Sequence, residues 1–477
     1  ISPKLLVSAA ACLAATSCAH LSKNASRSSE QRPQANDMVT GAGHLGLGFA
    51  RGTALSALKQ PITTATLGLA VLWHRPREIV SANLPVSIAL TPPPEYKPGT
   101  AAFETALDDF NIPAAESGKL TWLVDGKQFF PELDRQIANA KQAIDLQVFI
   151  FDNDDIAVRY ADRLKKRAQD IPVRVMFDDL GSAFAHTSAP LTPAPKGFVP
   201  PTSIHRYLKE NSEIRVRRTL NPWLVCDHSK LIIFDKRVAY IGGMNIGREY
   251  YNEWHDLMIR IEGSVVTSLQ RDFDRTWRKA GPEGDLALVR APSYIRPAPK
   301  VSDGIPLRVL RTDPAEGRYE IHKSTLLAIR SARKRIWIEN PYVAHDDITI
   351  ALEEAARRGV DVRLILPARG DSTIMDEGNI AVARRLIQAG GKAYSYPRMT
   401  HMKVMICDGW ATVGSANLDT LSMRINREMN LSFNDTAEVN RLIDCVFLPD
   451  FRASKPIKLS ETDSPIAPLA ETIADQL

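Results

Sequence analysis

Two short stretches of this chain carry the same reactive side chains in the same order. The first reads Asp227-His228-Ser229-Lys230-Leu231-Ile232-Ile233-Phe234-Asp235 and is followed by Gly242-Gly243-Met244-Asn245. The second reads Thr400-His401-Met402-Lys403-Val404-Met405-Ile406-Cys407-Asp408 and is followed by Gly414-Ser415-Ala416-Asn417. In extended backbone, residues two apart share a face, so each imidazole projects beside an ammonium while the apolar residues that follow bury the strand. A glycine-containing turn then presents Asn245 or Asn417, joined in the second copy by the Ser415 hydroxyl, as donors for phosphate oxygens. Displacement at phosphorus needs these types: a nucleophile, an acid for the leaving oxygen, and cationic donors for the nonbridging oxygens. One His-x-Lys alone is an ordinary surface or core pair. The same eight-residue pattern twice, each time followed by Gly-x-x-Asn, points to a reaction centre.

Two acids stand at matching distances. Asp256 lies 28 residues after His228, and Glu428 lies 27 after His401. Each suits acceptance from an imidazole nitrogen, which fixes the tautomer; the competing reading is a surface carboxylate at a coincidental spacing. Asp235 and Asp408 complete the motifs and are grouped with their catalytic residues, although their place at a strand end reads as structural, bonding turn amides.

The elements that position these groups form an internal repeat. Ile137 to Phe151 runs from helical periodicity into a strand-like apolar stretch, and Leu326 to Tyr342 does the same, with Ile144 answering Ile336. Each copy continues with a charged helix and a short β-branched strand, Val173–Phe177 in one and Val362–Leu366 in the other. The expected fold class is α/β, two fused α/β/α sandwich repeats with pseudo-twofold symmetry, a largely parallel sheet in each half, and one active site at their interface. The offset between equivalent positions falls from 192 at Ile144/Ile336 to 172 at Asn245/Asn417. The additional residues fit the Pro- and Ala-rich segment Ser182–Thr202, a loop long enough to serve as a lid or substrate wall.

The expected organisation is a signal-like segment at 1–18, an extension and linker at 19–118, a first repeat at 119–291, a linker at 292–306, a second repeat at 307–450 and a tail at 451–477. The apolar run Leu5–Ala15 before small residues and Cys18 has the shape of a secretory signal and of a lipoprotein cleavage site. It predicts export to a bacterial cell envelope, with membrane association and a lipid anchor on Cys18. Ser22–Thr40 reads as a polar tether, closed further on by Pro92–Pro94. Ile62–Trp73 is too short to span a bilayer and reads as a packed or interfacial helix. The 477 residues hold 60 basic and 55 acidic side chains, a net charge of +5 spread along the chain. That mild excess names no partner by itself. Five cysteines show no C-x-x-C and no metal spacing, and the apolar neighbours of Cys226 and Cys407 predict buried thiols.

The paired motifs resemble the phospholipase D superfamily, and their surroundings resemble its bacterial cardiolipin synthase branch over roughly residues 120 to 435. In the first half the resemblance rests on Gly242–Tyr250, Trp254, Asp256, Gly263, Leu269, Gln270, Phe273 and Trp277. In the second half it rests on Gly414–Asp419, Ser422, Asn426 and Glu428. It implies a metal-independent, cofactor-free ping-pong reaction on a phospholipid substrate at a membrane surface. His228 would attack phosphorus, and His401 would protonate the leaving alcohol and then deprotonate the acceptor. Lys230, Lys403, Asn245 and Asn417 would hold the phosphoryl oxygens. The resemblance also implies that the supporting acid can come from the opposite half, Asp256 then orienting His401 and Glu428 orienting His228, and the pairing stays open. Two departures stand out: Gly243 where the second half has Ser415, and a spacer from Asp408 to Gly414 one residue shorter than that from Asp235 to Gly242.

The function this implies is phosphatidyl transfer to an alcohol. The alternatives are a phospholipase D hydrolase releasing phosphatidic acid, a phosphodiesterase or nuclease, and a non-catalytic lipid-binding scaffold. The mild charge and export signal argue against nucleic acid. The presence of both histidines and both lysines argues against a scaffold. Acceptor alcohol and oligomeric state leave no sequence signal.

Overall fold

The computed structural model of the chain describes residues 52–81, 95–185, 191–289 and 297–464. The segment ending at Cys18, the Ser22–Thr40 tether and Pro92–Pro94 lie outside the described residues.

Sixteen strands form one sheet among the described residues. The first half contributes β1 (Glu116–Val124), β2 (Ile144–Val148), β3 (Val173–Asp178), β4 (Arg215–Thr219), β5 (Leu231–Phe234), β6 (Val238–Gly242) and β7 (Leu257–Glu262). The second contributes β8 (Ile305–Asp313), β9 (Arg318–Tyr319), β10 (Arg335–Glu339), β11 (Asp361–Pro367), β12 (Lys392–Tyr396), β13 (Val404–Cys407), β14 (Trp410–Gly414), β15 (Glu428–Phe433) and β16 (Lys455–Pro456). The path β4-β3-β2-β5-β6-β7-β1 is mirrored by β12-β11-β10-β13-β14-β15-β8, and the halves join where Glu116–Gly118 of β1 pairs with Ile305–Leu307 of β8. The repeat holds to the residue: Ile144 pairs with Val173 and Phe234, and Ile336 with Val362 and Cys407.

The expectation of a largely parallel sheet in each half is corrected. Only β2, β3 and β4, with their counterparts β10, β11 and β12, run parallel; the ladders from β2 through β5, β6 and β7 to β1 are antiparallel. The physical reason is connection length. Helical crossovers separate the parallel strands, whereas β5 and β6 are joined by a tight turn that permits only antiparallel pairing.

Helices cover the sheet through apolar faces set by 3.6-residue spacing. Asp155–Ala168 is capped by Asp154, whose side chain accepts from Ala157 N, and it buries Ile156, Tyr160, Ala161 and Leu164. Val265–Lys279 buries Val265, Val266, Leu269, Phe273 and Trp277 in a core that continues into the second half through Leu307, Val404 and Leu431. That shared core, with the β1–β8 pairing, fixes one half against the other. Cys407 is buried, whereas Cys226 is only half-buried, because its chain is leaving the core for the interface; Cys226, Cys407 and Cys445 are free thiols.

Candidate active site

His228, Lys230, His401 and Lys403 lie just before their strands, in extended segments pinned across the interface rather than inside either sheet. Asp227 pairs in parallel with Arg427, and His255 with Thr400. His228 N donates to Arg427 O at 2.9 Å, and His401 N donates to His255 O at 2.6 Å. Each motif is therefore positioned by the residue directly before the acid of the opposite half.

The acids cross over. His228 Nδ1 lies 2.9 and 3.1 Å from the two carboxylate oxygens of Glu428, and His401 Nδ1 lies 2.7 Å from Asp256 Oδ2. Binding at Nδ1 leaves each Nε2 for chemistry. The carboxylates are held in turn: Glu428 accepts from Ser415 Oγ at 2.5 Å and Ser422 Oγ at 2.8 Å, and Asp256 accepts from Leu257 N at 2.7 Å. Each lysine Nζ donates to the carbonyl of its own histidine at 2.7 Å, Lys230 to His228 and Lys403 to His401. Phe149 stands edge-on to His228, with ring centroids 4.7 Å apart, and Tyr250 and Trp254 pack on His401 at 5.6 and 5.0 Å.

Burial governs the charge of this cluster. It pushes both imidazoles well below their ordinary value, assisted by Lys230 and Lys403. It brings Lys230 down to about 7 and Lys403 to about 8, against the pull of Glu428 and Asp256. It raises Asp256 and Glu428 to about 7 while the two lysines draw them back toward the ionised form. Neutral imidazoles thus stand beside cationic donors, ready for an anionic phosphodiester.

Three residues of the motifs make contacts away from the imidazole Nε2 atoms. The Ser415 hydroxyl donates to Glu428 and accepts from Met429 N at 3.0 Å, so in this structure its proton is directed at the acid. Asp235 and Asp408, grouped by motif with the catalytic residues, bond turn amides at the strand ends, as their places suggest. They sit at the far ends of β5 and β13, roughly 20 Å along the strand from the histidines, in left-handed turn conformations with φ of 54° and 50°. Asp235 accepts from the amides of Lys141, Gln142 and Ala143, and Asp408 from those of Arg333, Lys334 and Arg335, tying each hairpin to the turn before β2 or β10. The two asparagines also differ. Asn245 accepts from Ile150 N at 3.0 Å and its side chain also bonds Tyr250, whereas Asn417 is bonded to Asp419.

Both departures from strict repetition have structural causes. A side chain at Gly243 would overlap the Asp256 carboxylate. The first half therefore pairs Gly with the shorter Asp, and the second pairs Ser415 with the longer Glu428. The residue missing from the second spacer is a turn residue, since β5 and β6 flank a three-residue turn and β13 and β14 a two-residue one.

Sequence reasoning missed Arg427, which binds Asp227 at 2.7 Å, Asp313 at 2.9 Å and Thr276 at 3.0 Å, and so locks the His228 segment to the second half. Its signal was its position directly before Glu428. It also missed Phe149, whose place is visible only once the end of β2 meets His228. Of the Ser182–Thr202 segment, residues 182–185 end the Asp179–Ala185 helix and the description resumes at 191: Leu191 N and Thr192 N donate to Glu253, and Asn153 Nδ2 donates to Pro201 O at 3.1 Å. These bonds tie the segment to Glu253, the neighbour of Trp254, on the first-half side.

Residues 133–277 and 326–450 match the family model described as cardiolipin synthase, phospholipase-D-like domain. The chain belongs to that family. It is 31% identical over 365 residues to a cardiolipin synthase of Halalkalibacterium halodurans, covering 74% of this chain and 69% of the relative. It is 29% identical over 368 residues to cardiolipin synthase A of Pseudomonas syringae, covering 74% and 72%. Among solved structures, phosphatidylserine synthase of Haemophilus influenzae aligns with a TM-score of 0.62 over 78% of this chain and 99% of that one, at 12% identity, a likeness of fold.

Proposed function

We propose that the protein is a phosphatidyltransferase that acts on phospholipids through a phosphohistidine, in the manner of a cardiolipin synthase. The observation that carries this reading is the pair of crossed dyads, His228 with Glu428 and His401 with Asp256, each flanked by a lysine. The cardiolipin synthases among its relatives support the substrate class. Neutral His228 attacks phosphorus through Nε2, and Glu428 stabilises the cation that forms. The bond from phosphorus to the leaving alkoxide breaks, and His401 Nε2 gives that oxygen its proton. His401, made basic again, takes a proton from the acceptor hydroxyl; the new P–O bond forms as the P–N bond breaks. The bound phosphodiester anion supplies the negative charge that lifts His401 into its protonated form for the first step. Lys230, Lys403 and Asn245 hold the nonbridging oxygens.

The partner in this reading is a membrane surface. No helix among the described residues is long and apolar enough to cross a membrane. The Pro61–Ser81 helix packs Leu67 against Val225 and Ile425, beside the nucleophile segment, while Leu58, Ile62, Leu69 and Leu72 are exposed. An amphipathic element of that kind suits the lipid interface. The small residues before Cys18 support export and a lipid anchor at the bacterial envelope.

The test is incubation of purified protein with phosphatidylglycerol, with products resolved by mass spectrometry and His228→Ala as control. Cardiolipin and glycerol are expected. Phosphatidic acid alone would make the enzyme a hydrolase, and an untouched lipid with intact fold would overturn the assignment.

A further inference from the structure

Away from the catalytic histidines, a second histidine cluster lies where the Glu320–Ser331 helix meets the start of the Asp346–Arg357 helix. His322 and His345 are buried, with ring centroids 4.9 Å apart, and Asp347 reaches toward them from the first helical turn. One donor atom from each of the three lies within 4.8 Å of the others. His322 Nε2 and Asp347 Oδ2 are 3.4 Å apart. Two ligands bound at about 2.0–2.1 Å in a tetrahedral site stand about 3.3–3.4 Å apart, so this pair has the spacing of adjacent zinc ligands.

The decisive residue is His345. It is 0% exposed, and neither Nδ1 nor Nε2 has a hydrogen-bond partner among the described residues. A fully buried imidazole with both nitrogens unsatisfied carries a desolvation cost that nothing in the described chain offsets. Arg424 Nη2 stands 3.2 Å from both His322 Nε2 and Asp347 Oδ2, the position of a cation shared between two ligands.

We propose that His322, His345 and Asp347 bind one divalent transition-metal ion of the zinc class, with Arg424 as the cation it displaces. Two imidazoles and a carboxylate form a borderline nitrogen–oxygen set suited to zinc, and the Asp347 side chain, 45% exposed, opens the remaining position to water. The role is structural. The ion would join the Glu320–Ser331 helix to the start of the Asp346–Arg357 helix, while the transfer reaction proceeds without it. The ligand spacing, His322 and then His345-x-Asp347, has no short-motif form, which is why the sequence showed no metal pattern.

The test uses tag-free, chelator-stripped full-length protein titrated with cobalt(II) and zinc(II). Expected are the visible absorption of tetrahedral cobalt, its displacement by one equivalent of zinc, and a zinc-dependent rise in Tm. His345→Ala and the milder Asp347→Asn should lose the spectrum, His228→Ala and His401→Ala should keep it, and Arg424→Ala should bind several-fold more tightly. No saturable binding by either wild type or Arg424→Ala would overturn the proposal. So would a spectrum kept by folded Asp347→Asn and lost by His228→Ala, which would place the ion in the catalytic centre.

Discussion

His228 Nδ1 lies 2.9 Å from Oε1 of Glu428, a residue 200 positions later and in the other half of the chain. With the reciprocal contact of His401 to Asp256, it makes each half supply the nucleophile or acid of one dyad and the orienting carboxylate of the other. The interface is thus part of the reaction centre.

Glu428→Gln keeps the shape and removes the charge that holds the His228 tautomer. By analogy with amide replacement of a triad carboxylate, kcat should fall by about 10³–10⁴ with KM little changed. Steady-state kinetics on a variant with wild-type Tm checks this; a loss confined to KM would place Glu428 in binding instead.

The kcat/KM profile should be bell-shaped and narrow. On the acid side, protonation of Asp256 and Glu428, both raised by burial to about 7, removes the orienting charge. On the alkaline side, Lys230 near 7 and Lys403 near 8 lose the ammonium that holds phosphate. The maximum is therefore expected between pH 7 and 8. Stability follows the opposite logic. The raised carboxyls contribute fully below their ordinary values and lose that contribution as pH rises toward 7, while the depressed lysines favour the fold more as pH rises from 7 toward 10.5. A flat rate between pH 5 and 9 would contradict the assignment of these groups.

Asp408→Ala should separate stability from chemistry. Three backbone amides lose their acceptor, at a cost of about 2–4 kcal/mol in urea unfolding, while kcat of the folded enzyme stays within a few-fold of wild type. A folded variant with kcat down a thousandfold would return Asp408 to the catalytic set.

Gly243→Ala puts a methyl group against the Asp256 carboxylate that holds His401. A drop in kcat of tenfold or more is expected, with a smaller effect for Ser415→Ala, where one of several bonds to Glu428 is lost. Equal, mild effects would mean that Asp256 has room to move.

The repeat, the α/β class and the four histidine and lysine positions were legible because duplication turns a trivial spacing into a pattern. Strand direction was not: alternation of helix and strand suggests parallel pairing, and only the tight turns at Asp235 and Asp408 reverse it. The crossing of the dyads could not be read from spacing, because Asp256 and Glu428 follow their own motifs at nearly equal distances and spacing is silent about the partner half; only the family resemblance offered it, as one open pairing. The Ser415 contact was hidden for a related reason. A hydroxyl beside a phosphate-binding turn reads as a donor to phosphate until Glu428 is seen within 2.5 Å of it. The segment through Cys18 lies outside the described residues, so the anchor rests on sequence.

The most direct test of the central claim is to trap the covalent intermediate. His401→Ala, mixed with phosphatidylglycerol, quenched and digested, should yield the peptide containing His228 with the added mass of a phosphatidyl group, and His228→Ala should yield none. Label on any other residue, or none in a folded His401→Ala protein under conditions where wild type turns over, would contradict the phosphohistidine mechanism.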